Sequence, residues 1–287
     1  MASGRDMDAP DFLVVGHVAK DVGDGSWRLG GSVAYAAIQA ERLGLRSAVV
    51  TRASTEMDLE QLLPNVSVHC VPSESTTTFE NCYENGRRVQ HAFAQAPPIG
   101  PEHVPEEWRE ARMVLLGSLL GEVPIELGRL FGGSLVGFCA QGWLRDVRSD
   151  GLVVRRSWSR SASLRGANIV VVSEDDIEGE SGAVELWIRE VPLVVVTGGK
   201  GGARLHADGR WRRIAAFPHE EVDPTGAGDV FAAAFMISYS EAGDVGVAAR
   251  FAGAAAALSV GAAGTARVAT REAIEGMLAD YPEVTLR

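Results

Sequence analysis

The sequence predicts an α/β fold, a doubly wound and mostly parallel sheet with helices on both faces and a small β lid. Three observations carry this. Short continuous apolar runs recur along the chain, helical patterns lie between most of them, and one stretch alternates polar and apolar residues on either side of an Asn-Gly pair. Continuous apolar runs are how strands covered on both faces read, and strand alternating with helix calls for parallel pairing. Asn-Gly between alternating runs is the strongest short hairpin signal. The 287 residues, 46% of them hydrophobic, suffice for a substantial core. No internal repeat, low-complexity tract or linker interrupts them, so residues 1–287 are expected to form a single domain with a lid inserted from about 22–29 and 72–95.

The first strand is expected at Phe12-Leu13-Val14-Val15-Gly16, an apolar run closed by glycine. Runs of the same kind follow at 47–51, 113–117, 135–139, 169–173 and 193–197, with helical patterns at 32–43, 124–130 and 180–190. Residues 76–83 and 87–94, joined through Glu84-Asn85-Gly86, read as an antiparallel flap, to which 22–29 adds a further strand. A surface hairpin without function is the alternative. Residues 251–263 are rich in Ala and Gly and too short to cross a bilayer, so they read as a packed helix.

The formal net charge of −11 and a pI near 5.1 argue against a nucleic-acid or anionic-membrane surface and favour small-molecule chemistry. Cys70, Cys82 and Cys139 are odd in number and lack a C-x-x-C pair, which points to neither a disulfide framework nor a zinc site. Residues 1–11 are polar and acidic without an apolar core, so no signal peptide is expected and the cytoplasm is the expected location.

Chemistry concentrates at Asp223-Pro224-Thr225-Gly226-Ala227-Gly228-Asp229-Val230-Phe231, where two glycines and a carboxylate stand at the mouth of an apolar helix. Helix starts carry unpaired amides, and glycine lets an anion approach them. Asp229 would repel a resting phosphate, so it makes sense as the base that takes a proton from a nucleophile attacking that phosphate. The alternative is an acid favoured by the helix dipole after a glycine-rich turn. Upstream, Asp21 and Gly30-Gly31 place a carboxylate and a bare backbone at the ligand end of the sheet, an arrangement suited to a polyol or, equally, to a solvated turn. Thr197-Gly198-Gly199-Lys200-Gly201-Gly202 lacks the spacing of a Walker A loop and reads locally as a tight strand-to-strand turn.

The string Asp-x-Thr-Gly-Ala-Gly-Asp-x-Phe at 223–231 closely resembles the C-terminal signature of the ribokinase, or PfkB, family of carbohydrate kinases, and the resemblance extends from the Phe12 strand to the region of Thr270. It implies a ribokinase-like fold and an ATP- and Mg²⁺-dependent kinase, with Asp229 as base and Gly226, Ala227 and Gly228 stabilising the transferring phosphoryl group. It implies substrate contacts at Asp21, Gly30 and Gly31, a nucleotide side formed by Thr197, Gly199 and Gly202, and an adenine border near Gly253. Asp223 and Thr225 match positions where relatives place a monovalent cation, so K⁺ is a second candidate. The family's Asn-x-x-Glu, associated with phosphate and hydrated Mg²⁺, is here Ser173-Glu174-Asp175-Asp176, whose alternative reading is a capped helix start. Segments 16–21, 71–80 and 141–145 are similar to inositol kinases, which implies a cyclitol such as myo-inositol and contacts from Thr77, Gln141 and Arg145; Cys139 replaces an Asp common in those proteins. An ordinary sugar or nucleoside kinase, and a regulator that binds without catalysis, are the rivals. An unpaired lid edge would suit a homodimer.

Overall fold

Alternation within each apolar run decides which core its side chains enter. In β1 (Phe12–Val15), Phe12 and Val14 join one buried cluster while Leu13 and Val15 join a second on the opposite face of the sheet. The computed structural model describes residues 8–23, 25–84, 87–159, 162–179 and 181–287. The expected Asn85-Gly86 turn, Asp24 of the expected lid segment, Glu180 of the expected helix and residues 1–7 lie outside the described residues.

The chain continues through β2 (Ala19–Gly23), β3 (Ser26–Gly30), α1 (Ser32–Arg42), β4 (Ser47–Ala53), α2 (Leu59–Leu62), β5 (Ser67–Pro72), β6 (Thr77–Glu84), β7 (Arg87–Ala94), β8 (Met113–Gly117) and β9 (Leu135–Cys139). It then forms a short hairpin of β10 (Arg145–Val147) and β11 (Val153–Arg155), followed by β12 (Ile169–Ser173), α3 (Ser181–Glu190), β13 (Leu193–Thr197), β14 (Ala203–Ala207) and β15 (Arg210–Ile214). Helices α4 (Ala227–Ala242), α5 (Val245–Ser259) and α6 (Arg271–Asp280) close the fold.

Nine strands form one sheet in the order β15-β14-β13-β12-β9-β8-β1-β4-β5, parallel except where β14 meets β13 and β15. Helices α1, α4, α5 and α6 cover one face; α3 and the 3₁₀ turns Ile125–Phe131 and Ala140–Leu144 cover the other. Residues 124–130, expected to be helical, take the tighter 3₁₀ form. The chain leaves β1 towards β4 on one side and returns to β8 on the other, which opens a crevice at the carboxyl ends of β1 and β8.

The lid is a separate four-stranded sheet, β3-β2-β6-β7, with β2 and β6 parallel and the outer pairs antiparallel. The expected flap is there, and residues 22–29 belong to two strands rather than one. Glycine 25, at φ 73°, makes the turn between them.

Candidate active site

The lid is stitched to the sheet at the head of the crevice. His17 is fully buried, and burial holds its ring below the usual histidine range and therefore neutral. Its Nε2 lies 3.0 Å from the Pro97 carbonyl, which can only accept, so Nδ1 is left to accept from the Thr77 hydroxyl at 2.9 Å. Thr77 in turn accepts from the Ala96 amide at 3.1 Å. This commits the hydroxyl expected to touch substrate. Thr77 is a pin at the root of the lid, completely buried. Beneath it, the buried Glu122 carboxylate gathers the amides of His17, Leu119 and Leu120 and the Ser118 hydroxyl, at 2.8–3.3 Å.

Asp21 sits on β2 above the crevice, and a Cβ at Gly30 would collide with its carboxylate. A Cβ at Gly31, where φ is 91°, would press into the backbone of residues 17–19. The glycine pair therefore makes room for the carboxylate and the first loop. Asp21, Ser26, Arg28, Tyr35, Asn81, Asp223 and Thr225 are among the residues lining a cleft of about 500 Å³ between lid and sheet.

Helix α4 starts just after Thr225, the last residue of the 221–225 loop that lines this cleft. Gly226 has φ 78° and a hypothetical Cβ inside the Tyr35 ring; Gly228 is exposed with nothing within 4 Å of such a Cβ. The Ala227 amide donates to Pro224 O at 3.2 Å, whereas among the described residues the Gly226 and Gly228 amides donate to no backbone carbonyl. These two amides, at the positive end of an apolar helix, fit a phosphate. Asp229 follows in the first turn. Desolvation pushes its carboxyl up to about 6, against hydrogen bonds donated by Ser32 and Cys139 and the nearby Arg145 charge, while Asp176 adds to the rise. Burial in turn raises the Cys139 thiol, as do the Asp229 and Asp176 carboxylates.

Asp176 departs from the expectation of a carboxylate facing hydrated Mg²⁺. Its Oδ1 accepts from Arg145 Nη2 at 3.1 Å, its Oδ2 from Ser173 Oγ at 2.5 Å, and Gln141 Nε2 approaches both oxygens at 3.4–3.5 Å. The carboxylate is spent on a nearly buried guanidinium. Among the described residues there is no group of three or more His, Cys, Asp or Glu able to hold a metal. Asp223 is likewise a loop staple, accepting from the amides of Thr225 at 3.0 Å and Gly264 at 3.2 Å. Desolvation opposes its ionisation, but these bonds, the Thr225 hydroxyl and the Arg28 charge hold it below the usual carboxylate range.

The donor-side glycines resolve into a turn and a packing contact. Residues 198–202 close the β13–β14 hairpin, with Gly199 at φ 52° open to solvent and Gly202 at φ 83° pressed on the Ile214 carbonyl. Thr197 Oγ1 donates to Val172 O at 3.4 Å. Gly253 lies inside α5, where a Cβ would come within 3.3 Å of Phe217. Sequence reasoning missed Ser32, Tyr35, Asn81 and Gln90. Of these, only Ser32 carried a signal, its place directly after Gly30-Gly31 at a helix start.

Comparison with known proteins gives this arrangement a family. Residues 148–271 match the pfkB family carbohydrate kinase profile. An inositol 3-kinase of Zea mays is 31% identical over 204 residues, 69% of this chain and 52% of that protein, so the chain spans about half its length. The chain carries a pfkB family carbohydrate kinase domain. A cytidine kinase of Thermococcus kodakarensis is 26% identical over 258 residues, 80% of this chain and 88% of that protein. Among solved structures, a pyrophosphate-dependent kinase of the ribokinase family, complexed with a pyrophosphate analogue and myo-inositol, matches over 92% of this chain and 99% of its own with 24% identity and a TM-score of 0.78. A ribokinase of Arabidopsis thaliana complexed with ribose and ATP matches over 94% and 99% with 21% identity and a TM-score of 0.70. The ribokinase-like fold is thereby shown, and as a pfkB kinase this protein is a phosphotransferase with an alcohol group as acceptor. No helix among the described residues is long and apolar enough to cross a membrane.

Proposed function

We propose that this pfkB kinase phosphorylates a hydroxyl of a small polyol, with a cyclitol such as myo-inositol as acceptor and ATP as donor. One observation carries the reading: a carboxylate with its pKa raised to about 6 stands in the same helix start as two amides that donate to no backbone carbonyl among the described residues, directly after the 223–225 loop lining a cleft whose lid presents a second carboxylate. Asp21 accepts hydrogen bonds from ring hydroxyls, with Gly30 and Gly31 leaving room for its carboxylate and the first loop. Asp229 takes the proton from the attacking hydroxyl, aided by its near-neutral pKa. Gly226 and Gly228 amides stabilise charge on the transferring group, and Arg145 offers a fixed positive charge nearby. Bound ATP supplies the γ-phosphoryl group, with the turn at Thr197, Gly199 and Gly202 and the end of α5 beyond Gly253 flanking the donor. Asp176, committed to Arg145, is not assigned a metal; Mg²⁺ enters on the donor phosphates.

The cyclitol assignment is supported by the maize relative's name and by the myo-inositol complex of the structural neighbour. That neighbour and others are named pyrophosphate-dependent, which favours pyrophosphate as a second reading for the donor. The test is a product panel with myo-inositol, other cyclitols, ribose, fructose and adenosine, each with ATP and with pyrophosphate. Turnover fastest with a cyclitol supports the reading; turnover confined to ribose, fructose or adenosine replaces it, and ligand-induced stabilisation without turnover points to a binding regulator. Asp223 and Thr225 are further assigned to K⁺ activation, which equal rates in Na⁺, K⁺ and a large organic cation would remove. The lid edge is assigned to a homodimer.

A further inference from the structure

A chain of side-chain hydrogen bonds runs from the lid to the far side of the crevice. Asn81 Nδ2 on β6 donates to Asp21 Oδ1 on β2 at 3.5 Å, and Gln90 Nε2 on β7 donates to Asn81 Oδ1 at 2.9 Å. Gln90 Oε1 accepts from Arg145 Nη1 at 3.2 Å, and Arg145 Nη2 continues to Asp176 Oδ1 at 3.1 Å. Each amide accepts on the side of Arg145 and donates on the side of Asp21. The guanidinium thus joins two carboxylates, one directly and one through two amides. Gln90 is buried, stands opposite Asn81 in the β6–β7 register, and is absent from the walls of the cleft that Asn81 lines. Its amide has one acceptable orientation, because a flip would set oxygen against oxygen at Asn81 and NH₂ against the guanidinium.

We infer that Gln90 is a positioning residue that sets the direction of this chain, so that Asp21 is oriented for the acceptor and Arg145 is held near Asp229 in a single arrangement. The inference rests on the polyol-kinase reading for its consequence, acceptor affinity, and on the hydrogen-bond pattern for its cause.

Gln90→Glu tests the direction. The ionised side chain still accepts from Arg145 but cannot donate to Asn81, whose amide then turns and presents its oxygen to Asp21. Losing a hydrogen bond to a charged group is expected to raise the KM for the acceptor about tenfold, with kcat and donor KM within about twofold. In a double-mutant cycle, Asn81→Leu added to Gln90→Leu should cost nothing further, because links in series fail together. Unchanged acceptor KM in Gln90→Glu, or additive losses in the cycle, would overturn the inference.

Hydrogen exchange keeps the two ideas apart because it needs no turnover. Gln90→Leu should speed amide exchange both in β2 and β6 and at residues 173–178; a change confined to β7 would overturn the inference. Coupled exchange in a protein that phosphorylates no polyol leaves the chain standing and removes the kinase substrate. A polyol kinase indifferent to Gln90→Glu does the reverse.

Discussion

Gly226 and Gly228 stand two residues apart, and different neighbours require them. Gly226 is held by its left-handed backbone and by the Tyr35 ring, so Gly226→Ala is expected to destabilise the fold by about 2–4 kcal/mol, measurable by denaturant titration. Gly228 faces open space in a helical first turn, where alanine is the better helix former by up to about 1 kcal/mol. Gly228→Ala should therefore leave the protein as stable or more so, while a methyl group over the phosphate-facing amide cuts kcat/KM for the donor. Asp229 carries a second prediction. Its carboxyl titrates near 6 in the fold against 3.8 unfolded, so the folded state binds the extra proton and stability falls as pH rises through about 4 to 6. Ionised Asp229 costs about 3 kcal/mol at neutral pH on that shift. Asp229→Asn should lower turnover at least ~100-fold yet raise the melting temperature at pH 7.5, with the gain vanishing below pH 4. In the parent enzyme, kcat/KM should fall about tenfold per pH unit below about 6; a flat acid limb would remove Asp229 as the base.

Among the elements, the lid root gives the clearest contrast with sequence reasoning. Thr77→Val would strand the buried Ala96 amide and the His17 ring, at a cost of about 2–4 kcal/mol for two lost partners. A large rise in acceptor KM with no loss of stability would restore Thr77 to the substrate. The six apolar runs announced their strands because burial on both faces leaves no polar alternation, and 113–117, 135–139, 169–173 and 193–197 match their observed bounds. Strands β5, β14 and β15 carried no such mark, since partly exposed strands such as Arg210–Ile214 mix charge with apolar residues. Motif residues in one string, 223–229, were legible for the same local reason. Asn81, Gln90 and Tyr35 were not, because their partners lie on other elements and only packing brings them together. Asp176 kept the spacing of a metal carboxylate, and nothing in its own segment revealed that Arg145 would occupy it.

For the molecule as a whole, the two cores differ from the lid in kind. The inner strands of the sheet are buried on both faces, while its edge strand β15 exposes Trp211 at 39% and the lid strands expose Trp27 at 43% and Phe93 at 63%. Lys20 Nζ stands 5.4 Å from the Trp27 ring centroid, covering part of it. If the homodimer assigned to the lid forms, replacing Trp27 and Phe93 with Ser should shift sedimentation from dimer to monomer without altering the melting of the sheet; an identical mass for both proteins would place the interface elsewhere or remove it. A net charge of −11 makes that association more favourable as salt screens repulsion between subunits.

His17 joins three segments with one neutral ring: the exit from β1, the start of β6 and the stretch after β7. One ring therefore carries three joints, and its loss would loosen all of them together rather than one at a time.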